Sequence, residues 1–139
     1  MERYDDECGS NPIIPSEIDG LPVTNLDFAA FSKTQLITVT IPASIKYISN
    51  DAFYDCQLSS LNFQNSSALT YIGQRAFRYN NLSGTIVLPS NMQRILANAF
   101  DSNPNLSTIV IKKNDSTDMT LGTNWNDTAS VIFDPNYEE

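Results

Sequence analysis

The chain has 139 residues, enough for one domain, and with 41% hydrophobic and 17% charged residues it is a folding sequence and not a disordered tail. It has no histidine and only two cysteines, which excludes a Ser-His-Asp triad, a Cys-His pair, a His-containing zinc site and a four-cysteine zinc site. The net charge of -8 is unevenly spread: residues 1–27 hold seven acids and Arg3, residues 28–113 hold seven bases and three acids, and residues 114–139 hold six acids and no base. Acidic ends therefore flank a mildly basic body whose bases fall at different repeat positions and form no stripe.

Residues 1–12 read as an acidic lead-in, with no hydrophobic region of the kind a signal peptide carries. No run in the chain approaches the roughly 18 apolar residues of a membrane span, so no direct membrane insertion is expected. A truncated repeat opens at Ile13-Ile14-Pro15, with Ile14 aligned to Ile41. From there Ala-Phe recurs four times, at Ala30-Phe31, Ala52-Phe53, Ala76-Phe77 and Ala99-Phe100, in steps of 22, 24 and 23 residues. Five residues before each Phe stands an apolar residue, Leu26, Ile48, Ile72 or Ile95; eight before stands Val23, Ile45, Leu69 or Met92.

After each Phe comes a segment with period-2 alternation: Leu36 to Pro42, Leu58 to Phe63, Leu82 to Pro89 and Leu106 to Ile111. That period predicts strands, with Val39 and Ile41 facing inward and Thr38 and Thr40 facing outward. Pro42 and Pro89 end their strands because they lack the N–H a longer ladder would demand. Two residues are inserted before Leu69, and the third copy carries one extra residue within its strand. The period is too short for a strand, a full helix and two loops. It fits a strand, a short returning segment and tight turns, and such a unit buries its apolar face only against copies of itself. Successive strands should then run parallel, with the four phenylalanines in one column. The expected fold is a β-dominated repeat solenoid with a parallel sheet, short returning strands and turns, and little helix. Repeats occupy 13–112, about four and a half copies, and 113–139 form a C-terminal cap that brings Trp125 or Phe133 over the last rung.

Other constellations are weaker. Cys8 and Cys56 fall in nearly the same column two repeats apart, about 9.5 Å at parallel-strand spacing. That exceeds the disulfide limit of roughly 7 Å and predicts two free thiols, with Cys56 buried. Asp101-Ser102-Asn103-Pro104-Asn105 opens like a calcium loop, but Leu106 stands where such a loop needs Gly and Lys112 where it needs Glu. Asp51 and Asp55 bracket Phe53 on what should be a solvated turn. Asn80, Asn81, Asn103 and Asn105 precede strands and are expected to serve turn chemistry. Glycosylation sequons occur at Asn65, Asn81, Asn105, Asn114 and Asn126. Arg75 and Arg78 lie near Tyr79, but without a basic stripe no nucleic-acid partner is expected.

The repeat resembles the BspA-like branch of the leucine-rich repeat family, most fully in the stretch from Leu36-Ile37-Thr38-Val39-Thr40-Ile41-Pro42 through Ile45 and Ile48 to Ala52-Phe53 and Cys56. The opening Ile14 to Leu26 is similar to the family's frequent first repeat. The chain departs from the pattern where Thr34, Asn80 and Asn103 replace the cysteine and where Phe63-Gln64 lacks proline. The resemblance implies a curved solenoid, a secreted or cell-surface setting, and a role similar to that of adhesins that bind host matrix proteins or other cells.

On this basis the chain is expected to be a non-enzymatic protein-binding or adhesion module with a protein or cell-surface ligand, no cofactor and no metal, acting as a monomer or as part of a longer chain. The alternative is a structural spacer that displays another domain and has no ligand of its own. The candidate binding face is the outward row Thr38, Thr40, Ser60, Asn62, Thr85, Val87, Thr108 and Val110. It carries no Trp, Tyr or Arg of the kind that anchors interfaces, so the turns around Tyr54, Arg78 and Tyr79 are the second candidate.

Overall fold

The structure, a computed structural model, describes residues 9–65 and 67–138. Among them are strands and turns and no helix. Strands β1 (Glu17–Ile18) and β2 (Leu21–Pro22) form an antiparallel hairpin. Both residues of its Asp19-Gly20 turn adopt positive φ, which matches the twist of the paired strands.

Each later turn of chain repeats three segments. The first is a two-residue strand: β3 (Asn25–Leu26), β5 (Tyr47–Ile48), β7 (Tyr71–Ile72), β9 (Arg94–Ile95) and β11 (Thr120–Leu121) stack as one five-stranded parallel sheet. The second is the Ala-Phe corner. The third is a longer strand: β4 (Thr38–Ile41), β6 (Ser60–Phe63), β8 (Ser83–Leu88), β10 (Asn105–Ile111) and β12 (Ser130–Phe133). The alternation expected of these strands holds, since Val39, Ile41, Leu61, Ile86, Leu88, Ile109 and Ile111 are buried while Thr40, Asn62 and Thr85 are exposed. The long strands do not make one sheet. β4 pairs with β6, and β8, β10 and β12 pair together, but no ladder joins β6 to β8. The residues inserted before Leu69 lengthen the arc that follows β6. The truncated opening copy forms no strand. Ile37 N–H donates to Ser10 O and Thr38 Oγ1 to Asn11 Oδ1, which holds the segment beside β4 with Ile14 buried and Ile13 93% exposed.

The phenylalanines form a single column. Ring centroids of Phe31 and Phe53, Phe53 and Phe77, and Phe77 and Phe100 lie 4.9, 5.2 and 5.2 Å apart, with planes within 1, 5 and 9° of parallel. Each ring contributes about 1.5–3 kcal/mol through burial. The corner around them is tightly bent. Ala29, Asp51, Arg75, Asn98 and Asn124, the residues before each corner's alanine position, all have φ between 51 and 59°. So do Lys33, Asp55 and Tyr79, two residues past the Phe, with Ser102 at 61°. Such conformations cost non-glycine residues about 1–3 kcal/mol each. The cost is offset between turns, where Phe31 N–H donates to Ala52 O, Phe53 N–H to Ala76 O and Phe77 N–H to Ala99 O, each at 2.8 Å. The corner is thus a third hydrogen-bonded face of the solenoid. The alanine at each corner is buried, and from the second turn on its carbonyl accepts from the preceding turn's phenylalanine N–H.

Three residues after each Phe runs a polar column. Cys56 Sγ donates to Phe31 O at 2.9 Å, Asn80 Nδ2 to Phe53 O at 2.8 Å and Asn103 Nδ2 to Phe77 O at 3.0 Å. Thr34, in the first turn, donates to its own Phe31 O at 2.7 Å. The asparagine oxygens also accept: Asn80 Oδ1 from Gln57 and Leu58 N–H, Asn103 Oδ1 from Leu82 N–H. Asn80 and Asn103 are therefore buried rivets between turns, more than the turn chemistry expected of them, while Asn81 and Asn105 are exposed. At Asn80 and Asn103 the departure from cysteine keeps one function, a donor aimed at the carbonyl of the preceding turn's phenylalanine.

Repeat geometry continues past residue 112. β11 pairs with β9, and Phe100 N–H donates to Trp125 O, so Trp125 holds the alanine position of one more turn and Asn126 the phenylalanine position. No described residue stacks a further turn there, which leaves room for the indole; Trp125 is buried in the core.

Candidate functional site

The proposed outward face is only partly open. Thr40, Asn62 and Thr85 are exposed, whereas Thr38, Ser60, Val87 and Thr108 are half-buried. Val110 corrects the expectation: it points away from the core, yet its exposure is 0%. The face is also split at the β6–β8 seam, so these residues do not make one continuous surface.

The corner face gathers the second candidate set. Tyr54 and Tyr79 meet edge to face with centroids 5.5 Å apart. The Arg78 guanidinium lies 4.7 Å from the Tyr79 centroid and pairs with Asp101 at 2.6 Å. Arg75 approaches Tyr54 at 6.0 Å and grips Asp51 with two bonds, Nε to Oδ1 at 2.9 Å and Nη2 to Oδ2 at 2.7 Å. The hydrogen bonds that Arg75 donates to the Asp51 carboxylate, and then that carboxylate's charge, raise the Arg75 pKa above its ordinary value. The expectation of a solvated acid pair holds for exposed Asp55 and fails for Asp51, which is buried against Arg75. Asp101, the first residue of the would-be calcium loop, is engaged by Arg78, and Asn103 is committed to backbone.

A third surface was missed in the sequence. On the outer side of the five-stranded sheet, Asn25, Tyr47, Tyr71, Arg94 and Thr120 occupy one column. Tyr47 and Tyr71 have ring centroids 6.1 Å apart, and Arg94 lies 5.7 Å from the Tyr71 centroid. Tyr47 is 46% exposed and Arg94 is exposed. Neither Arg94 nor the adjacent exposed Lys46 has a carboxylate partner among the described residues. The signal was present: each member immediately precedes the apolar residue five before the Phe position. Inspecting that column across repeats would have found Tyr, Tyr and Arg in succession.

Cys56 is a buried free thiol whose pKa is pushed up, chiefly by burial. Cys8 lies outside the described residues. Among the described residues no group of three His, Cys, Asp or Glu could hold a metal ion. Of the sequon asparagines, Asn65, Asn81, Asn105 and Asn114 are exposed, while Asn126 is half-buried and donates to Ala129 O.

None of the curated proteins matches the chain significantly. Among solved structures it is similar to that of the pneumococcal vaccine antigen PcpA, with a TM-score of 0.74 at 23% identity over 93% of this chain. The match covers 41% of that structure's chain, so the present chain spans about two fifths of its length. The likeness shows a shared fold. The BspA type leucine rich repeat region matches residues 13–121 in six copies, more than the four and a half expected, and it runs past Lys112 to Leu121, where β11 continues the short-strand sheet. With stacked Ala-Phe corners and parallel rungs over the same span, the chain belongs to the BspA-type leucine-rich repeat family.

Proposed function

We propose that this chain is a non-enzymatic protein-binding module of a secreted or cell-surface repeat protein, whose contacts run through tyrosine and arginine rows on the short-strand and corner faces. Residues 1–12 serve as its lead-in and 113–139 as its cap. The observation that carries this reading is the row of exposed Tyr47, half-buried Tyr71 and exposed Arg94, with Lys46 beside Tyr47. Tyr and Arg are, with Trp, the residues enriched at interface hot spots; Tyr brings a large rigid contact area at low entropic cost and Arg a fixed fork of donors. The long-strand face offers only small side chains and an interrupted ladder. The surface setting is supported by the family and by the likeness to a vaccine antigen.

The test is adhesion to plates coated with extracellular matrix proteins, comparing the wild type with the double variant Tyr47→Ala/Tyr71→Ala and with Thr40→Arg/Asn62→Arg. Loss of the two tyrosines should weaken binding by at least about tenfold, since hot-spot truncations cost about 2 kcal/mol or more, while the melting temperature stays put. The arginine pair should bind nearly as the wild type does. If the wild type adheres to none of the proteins, the spacer role is the correct one; if it adheres and neither double variant alters adhesion, the tyrosine row is not the contact surface.

A further inference from the structure

The β6–β8 seam is not closed by backbone pairing, and it leaves two adjoining cavities. One, of about 200 Å³, is lined by Leu61, Asn62, Phe63, Thr85, Val87 and Tyr137. The other, of about 290 Å³, shares Phe63 and Val87 and extends to Asn65, Asn91 and Lys112. Lys112 has no carboxylate partner among the described residues.

Tyr137 belongs to the segment after β12. Asp134 N–H extends the β12 ladder by donating to Ile111 O; the chain then reverses, with Asn136 N–H on Asp134 Oδ1 and Tyr137 N–H on Asp134 O. β12 is separated from β8 by β10. To line a cavity beside Val87, Tyr137 must cross the outer side of β10. Val110, the β10 neighbour of Val87 on that path, is fully buried without belonging to the core cluster.

We propose that the seam is a docking groove for an extended acidic peptide bearing a tyrosine, and that residues 134–138 occupy its entrance in cis. The chain's own segment defines the chemistry: an aromatic ring at the unpaired strand edges and an acid, Glu138, next to it, with an unneutralised lysine at the groove's other end. The remaining cavity is room for residues that the cis segment does not supply. A partner must displace Tyr137, so the apparent affinity falls in proportion to the fraction of time the segment leaves the groove free.

The probe is the synthetic peptide Asp-Pro-Asn-Tyr-Glu-Glu, titrated into full-length wild-type and Tyr137→Ala chains while the methyl resonances of Leu61, Val87 and Val110 are followed. The variant should take up the peptide saturably, with apparent affinity about tenfold above the wild type. The same peptide with its tyrosine replaced by alanine should be inert, and Val87→Glu added to the variant should abolish uptake. In the free wild type, Tyr137 ring protons should show Overhauser contacts to the Val87 and Val110 methyls. Absence of those contacts, equal uptake by both chains, or no saturable shift in either overturns the proposal. Concentration-dependent dimerisation of Tyr137→Ala would overturn it too, because a second copy would then be the occupant. Neither the matrix-adhesion assay nor its tyrosine row enters this measurement, so the two can fail separately.

Discussion

Each turn of the solenoid has a half that never changes length and a half that does. From the short strand through the Ala-Phe corner to the polar column, the spacing is constant: Ile48, Ile72 and Ile95 each precede their Phe by five residues, and Cys56, Asn80 and Asn103 each follow it by three. The arc from long strand to short strand varies, with five residues between Ile41 and Tyr47, seven between Phe63 and Tyr71, and eight between Ile111 and Thr120. The constant half stacks ring on ring and carbonyl on donor, so an added residue there would break interactions with both neighbouring turns. The variable half borders solvent, and its insertions end as a split sheet and a groove, not as a lost core. Insertions are therefore accommodated on one side of the array while the other fixes the repeat.

That contrast can be tested by insertion. One glycine placed between Gly73 and Gln74 should cost about 4 kcal/mol or more, since it displaces Phe77 and the strained Arg75 together; urea unfolding measures it, and a loss below about 1 kcal/mol would erase the distinction between the halves. Phe77→Ala should cost about 3–5 kcal/mol by opening a cavity against two stacked neighbours. Asn103→Ala should cost about 1–3 kcal/mol, because buried Phe77 O, Phe100 O and Leu82 N–H each lose a partner. Cys56 should resist alkylation in the native chain and react at full rate in urea. Because burial raises its pKa, the thiol's contribution to stability is whole below the ordinary thiol pKa and is lost as pH climbs through the raised one. The smallest effect belongs to the variable half: a glycine inserted after Asn65 should change stability by less than about 1 kcal/mol, as loop length enters only logarithmically.

Much of this architecture was legible because identical constraints recur. The Ala-Phe spacing located the column, and the alternation in Thr38–Ile41 located a strand and its inward side. The positive-φ residues were not legible, because Ala29, Arg75 and Tyr79 carry no mark of left-handed backbone; only the ladder between corners makes that conformation affordable. Asp51 looked like a solvated acid because its partner Arg75 lies 24 residues away, in the next turn. The Tyr47, Tyr71 and Arg94 row was written in the repeat frame but lay in the column beside the apolar one being followed.

The sequence by itself determined the period, the apolar columns and the direction of stacking, since a unit this short can dry its interior only against a copy of itself. Tertiary structure alone decided which polar side chains are buried, where the sheet parts, and that Tyr137 returns to line the cavity beside Val87. Those outcomes depend on distances between turns and on a segment outside the repeat, and neither leaves a periodic trace in the order of residues.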